Sequence, residues 1–575
     1  MLEGPNLYFP RPAIKLTLAV GPLLELTEER FDRIAERVEA TGRAGAPGSE
    51  QRRRAAARLA ASGVKRIAEA TGVRLAVRSR PGPETDQVIV AYPWRRRGSA
   101  EAAGREVAPL LETAASGRSM RRALEEAAAR LAKVEAGPEP SVPVPDVPIV
   151  SVTGTNGKTS TVRLLAHLVR CAGRSVAYSS TDGVYRGDGE LVEEGDFSGY
   201  TGAASALAQR PDVAVLETAR GGILLRGIGV AHNDVAVVTN VSADHLGLHG
   251  IHTVDQLAEV KATITKITRP EGWDVLNADD PRVLAMRRRA SGRPWLCSLD
   301  PDNPAIREVL SEGGRATVPL DGWMTVLEHS TARALVPLVD VPMTIAGISS
   351  TNVMNAMQAA SAGLGIGLPE RAVVRGLRTF VLDSERNPGR ANLFELDGRV
   401  VVIDYAHNEA GMIGLTELAN GLRRPGREVW LAICTAGDRS DEILHAFAYR
   451  AARGADHLAI AELLRYLRGR ERMDIVARLR AGALDGGVEE TDVYPDELAA
   501  LRAMTARSAR GDVVAVTALA KRNEVFTWLA DEGAQRPTPG RVKRIVSMIR
   551  RAEARRGPER PRASKARRGS GARRA

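Results

Sequence analysis

The segment Gly154-Thr155-Asn156-Gly157-Lys158-Thr159-Ser160 constrains the fold of this chain more than any other stretch. It follows an apolar run, 147–152, that reads as a buried strand, and it precedes a segment, 159–172, with a helical pattern. A glycine-rich turn between strand and helix aims backbone N–H groups and the helix N-terminus at one point, the geometry that cradles phosphate groups. Lys158 then neutralises phosphate charge and the Thr159 hydroxyl is placed to ligate Mg²⁺. The position six before Lys158 is Val152, where the general phosphate-loop pattern has glycine, so the loop is a compressed form.

Between residue 147 and about residue 385, strand-like runs at 213–217 and 235–240 alternate with helical patterns at 159–172 and 254–266. This alternation predicts a mostly parallel sheet covered by helices. A loop at Asn387-Pro388-Gly389-Arg390 opens a second α/β series with strands at 400–404, 429–434, 457–461 and 513–517. Upstream, residues 137–148 are too proline-dense for a helix or central strand and read as a stiff linker. Before the linker, strand-like 14–20 and 87–91 and helical 28–40, 50–71 and 120–135 describe a small domain.

The expected class is therefore multidomain α/β: a small N-terminal α/β domain (1–136), the linker, a central phosphate-loop ATPase domain on a parallel sheet (149–385), a Rossmann-like C-terminal domain (386–535), and a basic, disordered tail (536–575). Gly363-x-Gly365-x-Gly367 imitates a dinucleotide fingerprint, but it follows the helical pattern 352–362 and reads as a helix-ending loop.

Charge narrows the function classes. The net charge is +11, yet residues 541–575 hold 14 basic against 2 acidic residues, leaving 67 against 68 in the rest. The basicity belongs to the tail, which argues against a folded nucleic-acid reader and leaves at most weak polyanion contact there. Cys171, Cys297 and Cys434 are too far apart in sequence for a Cys-x-x-Cys site. No apolar run approaches the ~20 residues of a membrane span, and Glu3, Arg11, Lys15, Glu25 and Glu28 interrupt the region where a signal peptide would be apolar. A cytoplasmic location is expected.

Transfer of a γ-phosphoryl group needs metal ligands near the loop. Leu216-Glu217-Thr218-Ala219-Arg220-Gly221-Gly222 ends one apolar strand, and Thr239-Asn240-Val241-Ser242-Ala243-Asp244-His245-Leu246-Gly247 ends the next. Singly, Glu217 is an ordinary strand-end carboxylate and His245 an ordinary loop histidine. Their order after the compressed loop resembles the Mur ligase family, which joins a carboxylate to an amine at the expense of ATP.

The resemblance implies site roles. ATP is held by Gly154, Thr155, Asn156, Gly157, Lys158, Thr159 and Ser160, and Mg²⁺ by Thr159, Glu217, His245 and, if CO₂ converts it to a carbamate, Lys261; an unmodified helix-surface lysine is the competing reading. Asn352 and Asn355, in an Asn-x-x-Asn-Ala helix start with Thr351 where the family has histidine, contact adenine; capping by Asn352 is the competing reading. Arg390 reaches the ATP phosphates, and Asp404, in Asp404-Tyr405-Ala406-His407-Asn408, approaches the ribose. Lys158, Glu217, His245, Lys261 and Arg390 carry the catalysis, and Asn240, His407, Asn408, Asp438 and Arg439 face the substrates.

Within the family, Glu217-Thr218-Ala219-Arg220-Gly221-Gly222-Ile223-Leu224 and the opening Leu2-Glu3-Gly4-Pro5-Asn6-Leu7-Tyr8-Phe9 are similar to the Mur-like half and the N-terminal domain of cyanophycin synthetases. In those enzymes an ATP-grasp domain that adds aspartate lies between the two parts, and the Mur-like part adds arginine. Here the linker joins them directly, and 1–136 leaves no room for an ATP-grasp fold. The expected function is an ATP- and Mg²⁺-dependent amide ligase coupling a peptide or small-molecule carboxylate to an amino acid or amine, including the arginine-adding half of a split system. The alternatives are a non-ligating ATPase partner of a separate ATP-grasp ligase and a peptidoglycan-precursor ligase. A homo-oligomer is left open.

Overall fold

A computed structural model describes residues 1–187 and 189–556, which build sheets of 3, 11 and 6 strands. At the middle of the large sheet, Ile149–Thr153 pairs in parallel with Val213–Glu217 on one side and Asn233–Val238 on the other. Val176–Ser180 continues the sheet beyond Val213–Glu217, and an antiparallel hairpin, Gly183–Arg186 and Glu190–Glu194, closes that edge. In the other direction Thr268–Asn277, Arg293–Cys297 and Arg315–Leu320 run parallel, and antiparallel Trp323–Glu328 and Thr331–Pro337 end the sheet.

Every residue of Ile149–Thr153 and Val213–Glu217 is buried, because both faces of the sheet are covered. Val150, Val152, Val213 and Val215 face one core, with Leu164 and Leu168 of the helix Lys158–Cys171. Ile149, Ala214 and Leu216 face the opposite core. Such strands read as unbroken apolar runs, which is why the sequence displays them. The expected helix at 254–266 stops earlier: Val254–Lys261 is α-helical, and a 3₁₀ turn, Ile264–Ile267, follows.

The six-stranded sheet has the order Asn392–Leu396, Arg399–Asp404, Val513–Thr517, Val429–Ile433, His457–Ala461, Asp492–Tyr494, parallel except for its first strand. Val513–Thr517 sits between two earlier strands, so the carboxyl ends of Arg399–Asp404 and Val429–Ile433 flank a topological switch point, where open α/β sheets bind ligands.

The N-terminal sheet pairs Ala13–Ala19 and Arg78–Pro81 antiparallel to Gln87–Pro93. Its first residues also serve the large sheet: Leu2, Leu7, Tyr8 and Phe9 are buried in the core that contains Leu216, Ile223 and Ile228, and Glu3 pairs with Arg226 at 2.7 Å.

The tail expectation needs correction. Pro539–Arg556 is a helix, and residues 557–575 lie outside the described residues. Val542, Ile545, Val546 and Ile549 are buried at helical spacing, a stripe concealed among arginines when charge alone is weighed. The helix straddles the seam between the sheets: Lys543 pairs with Asp340 at 2.7 Å on one side and Arg541 with Glu395 at 2.9 Å on the other. Among the described residues no helix is long and apolar enough to cross a membrane.

Candidate active site

The phosphate loop is built so that only glycine fits two of its positions. Gly157 takes φ +87°, and a Cβ there would stand 2.2 Å from Asn355 Oδ1; at Gly154, φ +153°, a Cβ would stand 1.8 Å from Thr239 Oγ1. The loop after Asn233–Val238 fixes its outer side. Asn240 Oδ1 accepts from Asn156 N (2.9 Å) and Asn240 Nδ2 donates to Asn156 O (3.0 Å), while Ser242 N donates to Thr155 Oγ1 (3.0 Å).

Glu217, the last residue of its strand, is 1% exposed and accepts from the Thr159 hydroxyl at 2.9 Å. Its other oxygen lies 4.0 Å from Lys158 Nζ and accepts no hydrogen bond among the described residues. Burial raises the Glu217 pKa, against the lowering pull of Lys158, the Thr159 hydrogen bond and Arg390. A buried, incompletely satisfied carboxylate beside a hydroxyl is a hard-oxygen donor set, so Thr159 and Glu217 fit a divalent cation such as Mg²⁺. Lys261, at the end of its helix, is also buried and donates to the Gly154 carbonyl at 2.6 Å. Burial, then Lys158, pushes its pKa well down. Ser160 accepts from Asn387 Nδ2 at 3.1 Å.

The second sheet closes over this loop. Arg390 lies with its guanidinium carbon 4.0 Å from the Tyr405 ring centroid, and its charge pulls down both Glu217 and Asp404. Asp404 accepts from Ala391 N at 2.7 Å, and burial raises its pKa.

His245 departs from the expected arrangement. Among the described residues it makes no hydrogen bond or ion pair with Thr159 or Glu217. Its Nδ1 lies 3.6 Å from Asp438 and 3.1 Å from Arg439 Nη1. Arg439 Nη2 reaches Asp244 at 3.2 Å, and His407 Nε2 lies 3.5 Å from the same carboxylate. Asp244, His245 and His407 have ligand atoms within 4.8 Å of one another. Burial would raise Asp244, but the His407 hydrogen bond and the charges of His407, His245 and Arg439 outweigh it and hold this acid far below its ordinary value. The His245 hydrogen bond, with the charges of Arg439, His245 and Arg468, lowers Asp438 against the effect of burial.

Two residues assigned to substrate hold the loop. Asn240 grips the Asn156 backbone, and Asn408 exchanges two 3.0 Å hydrogen bonds with the Asn156 side chain. Capping by Asn352 is overturned: Ser349 caps the helix Ser350–Gly365, accepting from Asn352 N. Asn355 lies against Gly157, so this helix start meets the phosphate turn.

Sequence reasoning missed Asp182, which ties Arg163 (2.8 Å) to Arg522 (3.6 Å) across the seam and belongs to no recognisable pattern. It also missed Asp280, which accepts from Val241 N at 2.6 Å and caps Pro281–Met286; the Asp-Pro pair was its available signal.

Fold and site define a phosphate-loop α/β protein whose second parallel sheet brings basic and amide side chains to the loop. Residues 152–363 match the Mur ligase middle domain, and residues 389–519 match the Mur ligase glutamate ligase domain. The chain belongs to the Mur ligase family through these two domains. Cyanophycin synthetase of Crocosphaera subtropica is 41% identical over 317 residues, covering 55% of this chain and 36% of that protein. The chain thus spans little more than a third of the length of this curated relative. A UDP-N-acetylmuramoyl-L-alanyl-D-glutamate–2,6-diaminopimelate ligase of Chlorobium phaeobacteroides is 28% identical over 306 residues, 51% of this chain and 56% of that protein. The structure of E. coli FolC with DHPP and ADP aligns with TM-score 0.48 at 20% identity, covering 71% of this chain and 89% of FolC.

Proposed function

We propose that this protein is an ATP-dependent amide ligase that activates a substrate carboxylate as an acyl phosphate and couples it to an amino acid or amine, releasing ADP and phosphate. The observation that carries the reading is the convergence of Lys158, Thr159, buried Glu217 and buried Lys261 on one glycine turn, with Arg390 arriving from the second sheet. Similarity to cyanophycin synthetases over 317 residues supports the same class.

The residues divide the work by charge and position. Backbone groups of 154–160 hold the triphosphate, and Lys158 and Arg390 offset charge on the transferred phosphoryl group. A carboxylate oxygen of the substrate forms a bond to the γ-phosphorus while the bond to ADP breaks. The deprotonated amine then bonds to the acyl carbon, and phosphate leaves with the former carboxylate oxygen. Thr159 and Glu217 would hold Mg²⁺, which would supply charge neutralisation. Lys261, buried with its charged form disfavoured, offers the neutral amine that carbamate formation requires. Closure of the second sheet excludes water, against which the acyl phosphate must be protected.

We assign the amine to the open concavity lined by Gly437, Arg439, Ser440, Asp441, Glu442 and Arg468, next to Asp438 in the chain. The finer reading is that the amine is arginine and the carboxylate an aspartate side chain. Incubation with ATP, Mg²⁺, aspartate-containing peptides and an amino-acid mixture, followed by mass spectrometry, tests both. The expected result is a condensed product with stoichiometric ADP, formed only when acid and amine are both present. ADP release that ignores both would sink the ligase reading.

A further inference from the structure

Asn156, at the tip of the phosphate loop, is held from two sides by two different parts of the molecule. Asn240, on the large sheet, binds both its backbone N–H and its carbonyl. Asn408, at the carboxyl end of Arg399–Asp404 in the other sheet, binds its side chain through two reciprocal bonds, each 3.0 Å. Asn408 is fully buried, and its Oδ1 also accepts from Gly411 N at 2.9 Å, capping the helix Glu409–Leu422. The cap fixes the Asn408 amide at the N-terminus of a 14-residue helix that belongs to the C-terminal sheet's domain.

We propose that Asn408 is a positioning residue that makes the conformation of the phosphate loop conditional on closure of the C-terminal sheet, by pairing its amide with that of Asn156. The inference rests on the proposed function only in taking the loop as the nucleotide phosphate site. A reciprocal amide pair requires a donor and an acceptor from each partner, held in one plane. When the sheets part, Asn156 retains its backbone clamp from Asn240 but loses the constraint on its side chain. Other contacts cross the same seam, among them Arg439 to Asp244, Asn387 to Ser160 and Arg522 to Asp182. The amide pair therefore biases closure without being its sole source.

Asn408→Asp isolates the effect. Aspartate still caps the helix and still accepts from Asn156 Nδ2, but it sets an acceptor against Asn156 Oδ1, replacing one bond by repulsion. Asn156→Ala removes the pair from the other side and leaves the cap untouched. The two single variants and the double variant are to be compared by calorimetric titration with Mg·ADP and a non-hydrolysable Mg·ATP analogue, by small-angle scattering with and without nucleotide, and by the KM and kcat for ATP.

Each single variant is expected to weaken nucleotide binding about tenfold, the size expected of two neutral hydrogen bonds in exchange with water. Each should also leave the liganded particle more extended than the wild type. The double variant should be no worse than the more affected single, because both remove one interaction. Wild-type affinity and compaction in either single variant, or effects that multiply to about a hundredfold in the double, would overturn the proposal. A wild-type chain that joins no acid to any amine, yet shows this non-additive loss in binding, upholds the amide pair and removes the ligase reading alone.

Discussion

Gly157→Ala tests the loop at its tightest point. The residue holds φ +87°, a conformation that costs an L-residue about 1–2 kcal/mol. The new Cβ would stand 2.2 Å from Asn355 Oδ1, 3.0 Å from its Cγ and 3.1 Å from its Nδ2, so that amide must move. Asn355 is 2% exposed in the packed helix Ser350–Gly365, and forcing it off its rotamer adds about 0.5–1.5 kcal/mol. If the free protein relaxes the loop, the combined strain of about 1.5–3.5 kcal/mol reappears on binding, which is roughly one to two and a half powers of ten in nucleotide affinity. Gly173→Ala is the control. It has φ +77° with no atom within 4 Å of the added Cβ, so it bears the backbone strain with no side chain to displace. Calorimetric titration with a Mg·ATP analogue, alongside thermal melts, reads the difference. Binding by Gly157→Ala within twofold of wild type, or equal weakening by Gly173→Ala, would refute the steric account.

Three further outcomes are expected. Burial, then Lys158, lowers Lys261 well below 10.5, so just below 10.5 the unfolded chain holds a proton the folded chain lacks, and stability rises with pH there. Lys261→Met should flatten this rise, up to about 1.4 kcal/mol per pH unit, in urea titrations in CO₂-free buffer; an unchanged slope would contradict the burial argument. Asp244 is held far below 3.8, so its contribution is present above 3.8 and is lost as pH falls through the folded value. Asp244→Asn should cost about 1.5–3 kcal/mol at neutral pH and remove that acid limb, measured by melts from about pH 5 to pH 2. In the C-terminal helix, Ile545→Ala, at a site 2% exposed, should cost about 2–5 kcal/mol in denaturant titration. Met548→Ala, 50% exposed, should stay within about 0.5 kcal/mol.

What was legible in the chain was what local chemistry dictates. A strand buried on both faces leaves an unbroken apolar run, so Val213–Glu217, His457–Ala461 and Val513–Thr517 could be read to the residue. The turn after Ile149–Thr153 carries glycines because only glycine fits there, and that made the loop visible. Relations across the seam were illegible. Asn156 and Asn408 lie 252 positions apart, and an asparagine in a motif looks the same whether its amide meets a substrate or another amide. Asp182 reaches Arg163 and Arg522 from a loop with no pattern of its own. The stripe of Pro539–Arg556 was outweighed by the arginines around it, since charge was counted where periodicity should have been.

The seam matters because each of two buried acids on the large sheet draws part of its counter-charge from the other sheet. Glu217 is pulled down in part by Arg390, and Asp244 by His407 and Arg439. Parting the sheets would strip those partners while leaving the carboxylates in the strand ends and loops that bury them, and a buried charge without a partner is costly. Closure therefore stabilises the ionised forms of Glu217 and Asp244, and ionised Glu217 and Asp244 stabilise closure by the same amount. Glu217 stays raised even with Arg390 in place, so its charge is only partly matched by the protein. A cation delivered with the triphosphate would complete the match at Thr159 and Glu217, and nucleotide binding would then favour the closed arrangement through electrostatics in addition to the amide pair at Asn156.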